Sequence, residues 1–167
     1  MTIFNDNLYL CPCYTGNDNM NIEYQKASVE HQDGLSNTLG MEFISTPEPD
    51  TCMARMRVDR RNRQPFGFLS GGASLALAEN LAGVGSMALC PNKICVGISV
   101  SGNHVRAVLE GDTVTAYGRL QFKGRTLHEW QVDIKNSAHE LISTVHVTNY
   151  VVTPKKGTPF DQQPADE

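Results

Sequence analysis

The sequence carries no excess of positive charge: Lys and Arg number 14 against 18 Asp and Glu, a formal net charge of −4. That balance excludes a broad nucleic-acid footprint, which would show as a strongly basic face. The opening residues, MTIFNDNLYLCPCYTG, lack the basic start and long apolar stretch of a signal peptide, so the expected location is the cytoplasm. The five cysteines, Cys11, Cys13, Cys52, Cys90 and Cys95, include no CxxC pair and meet no histidines at zinc-finger spacing. Free thiols and no metal site are the expectation. Cys11-Pro12-Cys13 is a tight CxC in a polar arm, read as incidental rather than redox-active. No period of 20 to 50 residues recurs, which removes solenoids and propellers.

What is present suits one domain. A chain of 167 residues with 40% hydrophobic content can build a core of its own. Residues 1–25 are rich in Asn, Asp and Tyr without periodicity and read as an N-terminal arm, and 154–167 read as a flexible tail, leaving 26–153 as the folded domain. His31 to Thr38 suits a short helix. Cys52, Ala54, Met56 and Val58 alternate with more polar neighbours at the period of a half-buried strand. Four further strand-like runs, Ile94 to Val105, Thr113 to Phe122, Leu127 to Asn136 and Leu141 to Val152, are separated by turn signals and read as a meander.

Between these strand blocks, from Gln64 to Asn92, stands a single charged residue, Glu79. Gly71 to Leu89 reads GGASLALAENLAGVGSMAL, a run of Ala and Leu with four glycines, which predicts a buried, closely packed helix. Its length also fits a transmembrane span, but a mid-helix carboxylate and the absence of a second apolar span weigh against a membrane. An antiparallel sheet wrapped around one apolar helix is the soluble solution, an α+β hot-dog layout.

A carboxylate in such surroundings is costly unless partners offset it. Glu79 is therefore either a register-fixing group paired to a distant Arg or backbone amide, or a catalytic carboxylate tuned by its surroundings. From Arg60 to Leu109 it is the one acid among Arg60, Arg61, Arg63, Lys93 and Arg106, a local bias that suits an anionic small molecule. Ahead of the helix, Ser70 is a good N-cap, and Gly71 and Gly72 allow a group to approach the free amides of the first turn. Those amides can receive an oxyanion, or the glycines merely serve a tight turn. Gly71 and Glu79 are eight residues apart, roughly 12 Å along a helix. One reacting carbon cannot touch both on the same helix, so a shared site requires two subunits.

The run QPFGFLSGGASLALAE, Gln64 to Glu79, resembles the hot-dog-fold acyl-CoA thioesterases of the phenylacetate-degradation, 4-hydroxybenzoyl-CoA and 1,4-dihydroxy-2-naphthoyl-CoA type. The likeness continues through VGISVSGNHVRAV and KGRTLHEWQVDI to the last strand, about residues 35–152. It implies that Glu79 is the catalytic carboxylate, Gly71 the oxyanion amide and Gln64 a thioester contact, with Ser70 in the same site. It also implies that Asn103, His104, Arg106, Lys123, Gly124 and Arg125 contact substrate. Of the cations placed near strand ends, Lys93, Arg106, Lys123 and Arg125, the last is the preferred phosphate ligand, because Lys123-Gly124-Arg125 makes a turn with flexible backbone and two donors. The expected activity is hydrolysis of a small, aromatic acyl-CoA to acid and CoA, with no cofactor beyond that CoA, by a homodimer or homotetramer with shared sites. Two positions depart from the pattern: Ser70 stands where the family has His, and Gly83 stands where it has a Ser or Thr hydroxyl one turn after the glutamate. The alternative they raise is a catalytically weak acyl-CoA-binding protein. A hot-dog dehydratase, which needs a catalytic His, ranks last. His31, His128, His139 and His146 are read as surface or strand residues.

Overall fold

A computed structural model describes residues 34–155 together with Met20, Ile22, Glu23, Gln25 and Lys26. Cys11, Cys13, His31 and the tail from 156 lie outside the described residues. Helix α1 (Leu35–Leu39) leads into strand β1 (Met41–Ile44) and β2 (Thr51–Arg57). The long helix α2 (Gly71–Leu89) follows, then β3 (Ile94–His104), β4 (Thr113–Lys123), β5 (Leu127–Lys135) and β6 (Leu141–Val152). All strand pairs are antiparallel, in the order β1-β2-β4-β5-β6-β3.

The α+β layout of one apolar helix on an antiparallel sheet is the one expected, with α2 at the expected bounds. The meander needs correction. Only β4, β5 and β6 follow one another; β3 crosses to pair with β6 at the far edge. The connection from α2 delivers the chain there, because the helix lies mainly over β3 and β6. Strand β1, four residues beside β2, has no counterpart in the sequence reading.

The core forms where the inward sets of the strands meet α2. Leu77, Ala78, Leu81 and Ala82 bury against Cys52, Ala54, Met56, Val114, Ala116, Trp130, Val132, Ile134, Val145 and Val147. Small residues let the helix approach closely: a Cβ on Gly85 would stand 2.7 Å from Trp130 Cη2 and 3.0 Å from Cys52 Sγ. Two of the polar groups this packing encloses meet at one hydroxyl, since Trp130 Nε1 and Asn149 Nδ2 both donate to Ser86 Oγ, at 2.8 and 3.0 Å. Met20 and Ile22 also join the core, so packing begins within the segment assigned to the arm. Among the described residues no helix is long and apolar enough to cross a membrane. Cys52, Cys90 and Cys95 are buried free thiols.

Candidate active site

The site is built from the loop before α2, the helix itself and the edge strand β3. Asp59 to Leu69 folds back as a narrow loop, with bridge partners Arg63 and Leu69 and the Gln64 amide donating to the Phe68 carbonyl at 2.7 Å. Gln-Pro-Phe-Gly makes the turn: the Gly67 amide donates to the Gln64 carbonyl at 3.0 Å, and Gly67 adopts φ 85°, which glycine supplies at no steric cost. Gln64 is half-buried at its base and Phe66 projects at the tip, 80% exposed. Buried Asn62 anchors the loop. Its Oδ1 accepts from the Asp59 amide at 2.9 Å, its Nδ2 donates to the Arg57 carbonyl at 2.8 Å, and its carbonyl accepts the Ser70 amide at 2.9 Å.

Ser70 occupies the N-cap position of α2 with extended backbone, but its hydroxyl makes no capping hydrogen bond. The cap is therefore positional only. Its carbonyl accepts the Ser74 amide at 3.1 Å, and among the described residues nothing accepts from the amides of Gly71, Gly72 and Ala73, the remaining donors of the first turn. The group that approaches Gly71 is His104. A Cβ at Gly71 would lie 2.7 Å from His104 Nε2 and 2.9 Å from Cδ2. His104 ends β3 opposite Ser143 of β6, whose buried hydroxyl is 2.8 Å from Nδ1.

Glu79 lies on the stripe of α2 that the sheet does not fully cover, with Ala76, Asn80, Gly83 and Met87. It is half-buried, less enclosed than the apolar run of the helix implies. The sheet wraps the helix on one side only and leaves this stripe open. No hydrogen bond or ion pair engages its carboxylate among the described residues. Its seat is Gly97 of β3: a Cβ there would lie 3.1 Å from Glu79 Cδ and 3.2 Å from Cγ, with Oε1 nearer still. A bulge between Gly97 and Ser99 interrupts the β3–β6 ladder at this point, as bulges beside functional groups commonly do.

The predicted cations divide. Arg106 pairs with Glu140 at 3.1 Å, and Lys93 Nζ donates to Thr153 Oγ1 at 2.6 Å. Lys123 is buried and lies opposite His128, so it does not present a free ammonium at the turn. Gly124 is buried too, against the Phe122 ring, whereas Arg125 is exposed, and Asn103 is exposed on β3. The locally basic half of the molecule is largely neutralised in space. Arg61 binds Asp59 at 2.7 Å and Arg63 binds Glu110 at 3.2 Å, acids that stand just outside the acid-poor stretch. The Arg61 guanidinium holds the Asp59 carboxyl down at about 2. Burial, and then the Lys123 charge, lower His128 to about 4. Among the described residues no group of three His, Cys, Asp or Glu is placed to hold a metal ion.

The model of the thioesterase superfamily matches residues 66–143. The chain is 30% identical over 124 residues to a 1,4-dihydroxy-2-naphthoyl-CoA hydrolase of Listeria monocytogenes, covering 74% of this chain and 99% of that one. The chain belongs to the thioesterase superfamily. A mutant thioesterase of Pseudomonas aeruginosa superposes with a TM-score of 0.75 at 31% identity, over 83% of this chain and 98% of its own. The PaaI protein of the Escherichia coli phenylacetic acid degradation operon shares the hot-dog fold, with a TM-score of 0.69 at 17% identity over 81% of this chain and 96% of that one. Membership places the chain among thioester hydrolases, and the matched segment runs from the tip of the loop at Phe66 through α2 and β3.

Three members of the site escaped the sequence reading: Gly97, Asn62 and Ser143. The glycine and the serine act through cross-strand neighbours that no local pattern displays. Asn62 left a faint signal, an Asn in the arginine-rich turn before QPFG, a residue type that bonds its own backbone.

Proposed function

We propose that this protein hydrolyses an acyl-CoA thioester to the free acid and CoA, with Glu79 as base or nucleophile and the Gly71 amide as oxyanion donor. The observation that carries this reading is a half-buried carboxylate with no described partner, seated on Gly97 beside an open stripe of helix. As base, Glu79 takes a proton from water as the oxygen bonds to the thioester carbon. The tetrahedral intermediate then expels the thiolate, which is protonated. As nucleophile, the carboxylate itself displaces the thiolate, and water cleaves the resulting anhydride. Gln64 contacts the thioester, and Arg125, exposed at its turn, meets a CoA phosphate. An aromatic acyl group is favoured by the motif and by the substrate named for the Listeria relative.

A homo-oligomer with shared sites is part of the proposal. Gly71 and Glu79 sit roughly 12 Å apart on one helix, so one carbonyl meets both only if a second copy supplies one of them. Strand β3 supports this: its eleven residues hold no Pro, Lys or other charged side chain, and it lies at a sheet edge, exposed over most of its length from Gly97 to His104. Such an edge is a template for pairing with another chain. A CoA substrate also favours the cytoplasm.

The test is a thiol-release screen of aryl-, phenylacetyl- and fatty acyl-CoAs with the native chain and Glu79→Gln. Turnover on at least one class, lowered about 100-fold or more in the variant, is expected. Near-native turnover by Glu79→Gln at unchanged stability would remove the catalytic assignment. Binding without turnover would favour an acyl-CoA-binding protein with a site disabled at Ser70 and Gly83.

A further inference from the structure

The imidazole on Gly71 suggests a second donor at the oxyanion site. We propose that His104, oriented by Ser143, donates a hydrogen bond from Nε2 to the thioester oxygen beside the free amides of the first turn of α2. The inference rests on the hydrolase reading and adds to it a catalytic residue, His104, and a positioning residue, Ser143.

The argument starts from the register. His104 and Ser143 are the last paired residues of β3 and β6, directly opposite one another, and Nδ1 lies 2.8 Å from Ser143 Oγ. Ser143 is fully buried, and this nitrogen is its one described side-chain partner. If Nδ1 held the proton and donated, the buried hydroxyl hydrogen would need another acceptor, and leaving it unmatched costs on the order of 1–3 kcal/mol. The economical arrangement has Ser143 donating to Nδ1, which fixes the imidazole proton on Nε2. That nitrogen faces the space beside Gly71, 2.7 Å from where a Cβ would stand.

Two kinds of donor therefore flank one point: the Nε2–H of His104 and the unpaired first-turn amides of α2. His104 is exposed, open to an entering substrate, while the Ser70 hydroxyl makes no capping bond to the first turn. Of the described histidines, His128 lies inside the fold, His139 in a turn and His146 on an exposed strand position. Among the described histidines His104 alone stands at the N-terminus of α2. As the carbonyl carbon is attacked, its π pair moves to oxygen, and the Nε2–H bond stays intact while it hydrogen-bonds the developing charge. On collapse that pair returns and the C–S bond breaks. Gly71 is needed here because a methyl group at 71 would displace the ring.

The test combines kinetics with ¹⁵N NMR of the imidazole in the full-length protein. His104→Ala is expected to lower kcat about 100-fold while KM changes less than about threefold, the pattern of an interaction made in the transition state. Ser143→Ala should move the His104 nitrogen shifts away from the Nε2–H tautomer and lower kcat about tenfold, and Ser143→Thr should restore both. The proposal is overturned if His104→Ala keeps native kcat, if it changes KM alone, or if native His104 holds its proton on Nδ1. In those cases a loss of turnover in Glu79→Gln leaves the hydrolase reading standing. Full activity of Glu79→Gln would overturn both. Should His104→Ala fail to fold, the tautomer of the native protein and the Ser143 pair decide the matter.

Discussion

Replacing Gly97 by Ala tests whether the edge strand aims the carboxylate. Gly97 lies in β3 without a positive φ, so Ala suits its backbone and should stabilise the strand by about 0.5–1 kcal/mol through the unfolded chain. The added methyl would meet Glu79 Cδ at 3.1 Å and Cγ at 3.2 Å, where ordinary contact begins at 3.4 Å, and Oε1 would be closer still. The strand cannot recede freely, because the Gly97 backbone is paired with Asn149 of β6. The side chain of Glu79 is the mobile partner, and its oxygen must swing by on the order of 1 Å. A displacement of that size at a reacting group can cost about 100-fold in rate. Gly97→Ala should therefore melt at or slightly above the native temperature while thiol release falls between 10- and 100-fold, with KM little changed. The paired measurement separates misplacement from misfolding. Native kcat in a folded Gly97→Ala protein would refute the seat, because the carboxylate would then act from a position independent of β3.

Gly83→Ser should be accommodated, since nothing lies within 4 Å of a Cβ at Gly83, and exchanging Gly for Ser inside a helix gains about 0.5 kcal/mol. If a hydroxyl one turn after Glu79 holds the attacking water, thiol release should rise several-fold; a folded variant with unchanged or lower rates would show that this chain places its water otherwise. His128 gives a pH dependence. Its folded-state value of about 4 lies below the ordinary 6.5, so below pH 6.5 the unfolded chain takes up a proton that the folded chain refuses. Stability contributed by the neutral ring is complete above pH 6.5 and is lost as pH falls toward 4, by up to about 3 kcal/mol. Urea midpoints at pH 7 and pH 4.5 should therefore separate further in the native protein than in His128→Gln, and equal separations would remove His128 as the cause.

The helix and most strands were legible because their signals are local. Alternation in Cys52 to Val58 marks β2, and the apolar run with an isolated charge marks both α2 and the carboxylate proposed to act on it. What escaped depends on which strands become neighbours. Order along the chain suggested that β3 precedes β4 in space, and only the helix lying over β3 and β6 sends it to the other edge. Charge was misjudged for the same reason. Arg106 is acid-poor in sequence yet meets Glu140 in space, and Arg61 and Arg63 find Asp59 and Glu110 at the borders of the stretch that was counted.

Two bulges explain the remaining departures, because each shifts the alternation that a strand pattern presumes. In β4 the register slips between Leu120 and Phe122. Without the slip Phe122 would follow Leu120 onto the helix side and Lys123 would face solvent. With it, Phe122 is 51% exposed, Lys123 is 8% exposed, and the turn's free cation is Arg125 alone of the three residues first named. In β3 the slip after Gly97 lets both Gly97 and Val100 face α2, with Ile98 turned outward at 58% exposure. Strict alternation would have given the helix side Gly97 and Ser99 and then carried Gly102 and His104 away from it. The bulge thus brings onto one face the glycine that seats Glu79 and the histidine that reaches Gly71. An edge strand paired on one side only can absorb the extra residue, since its free side has no ladder within the chain to disrupt.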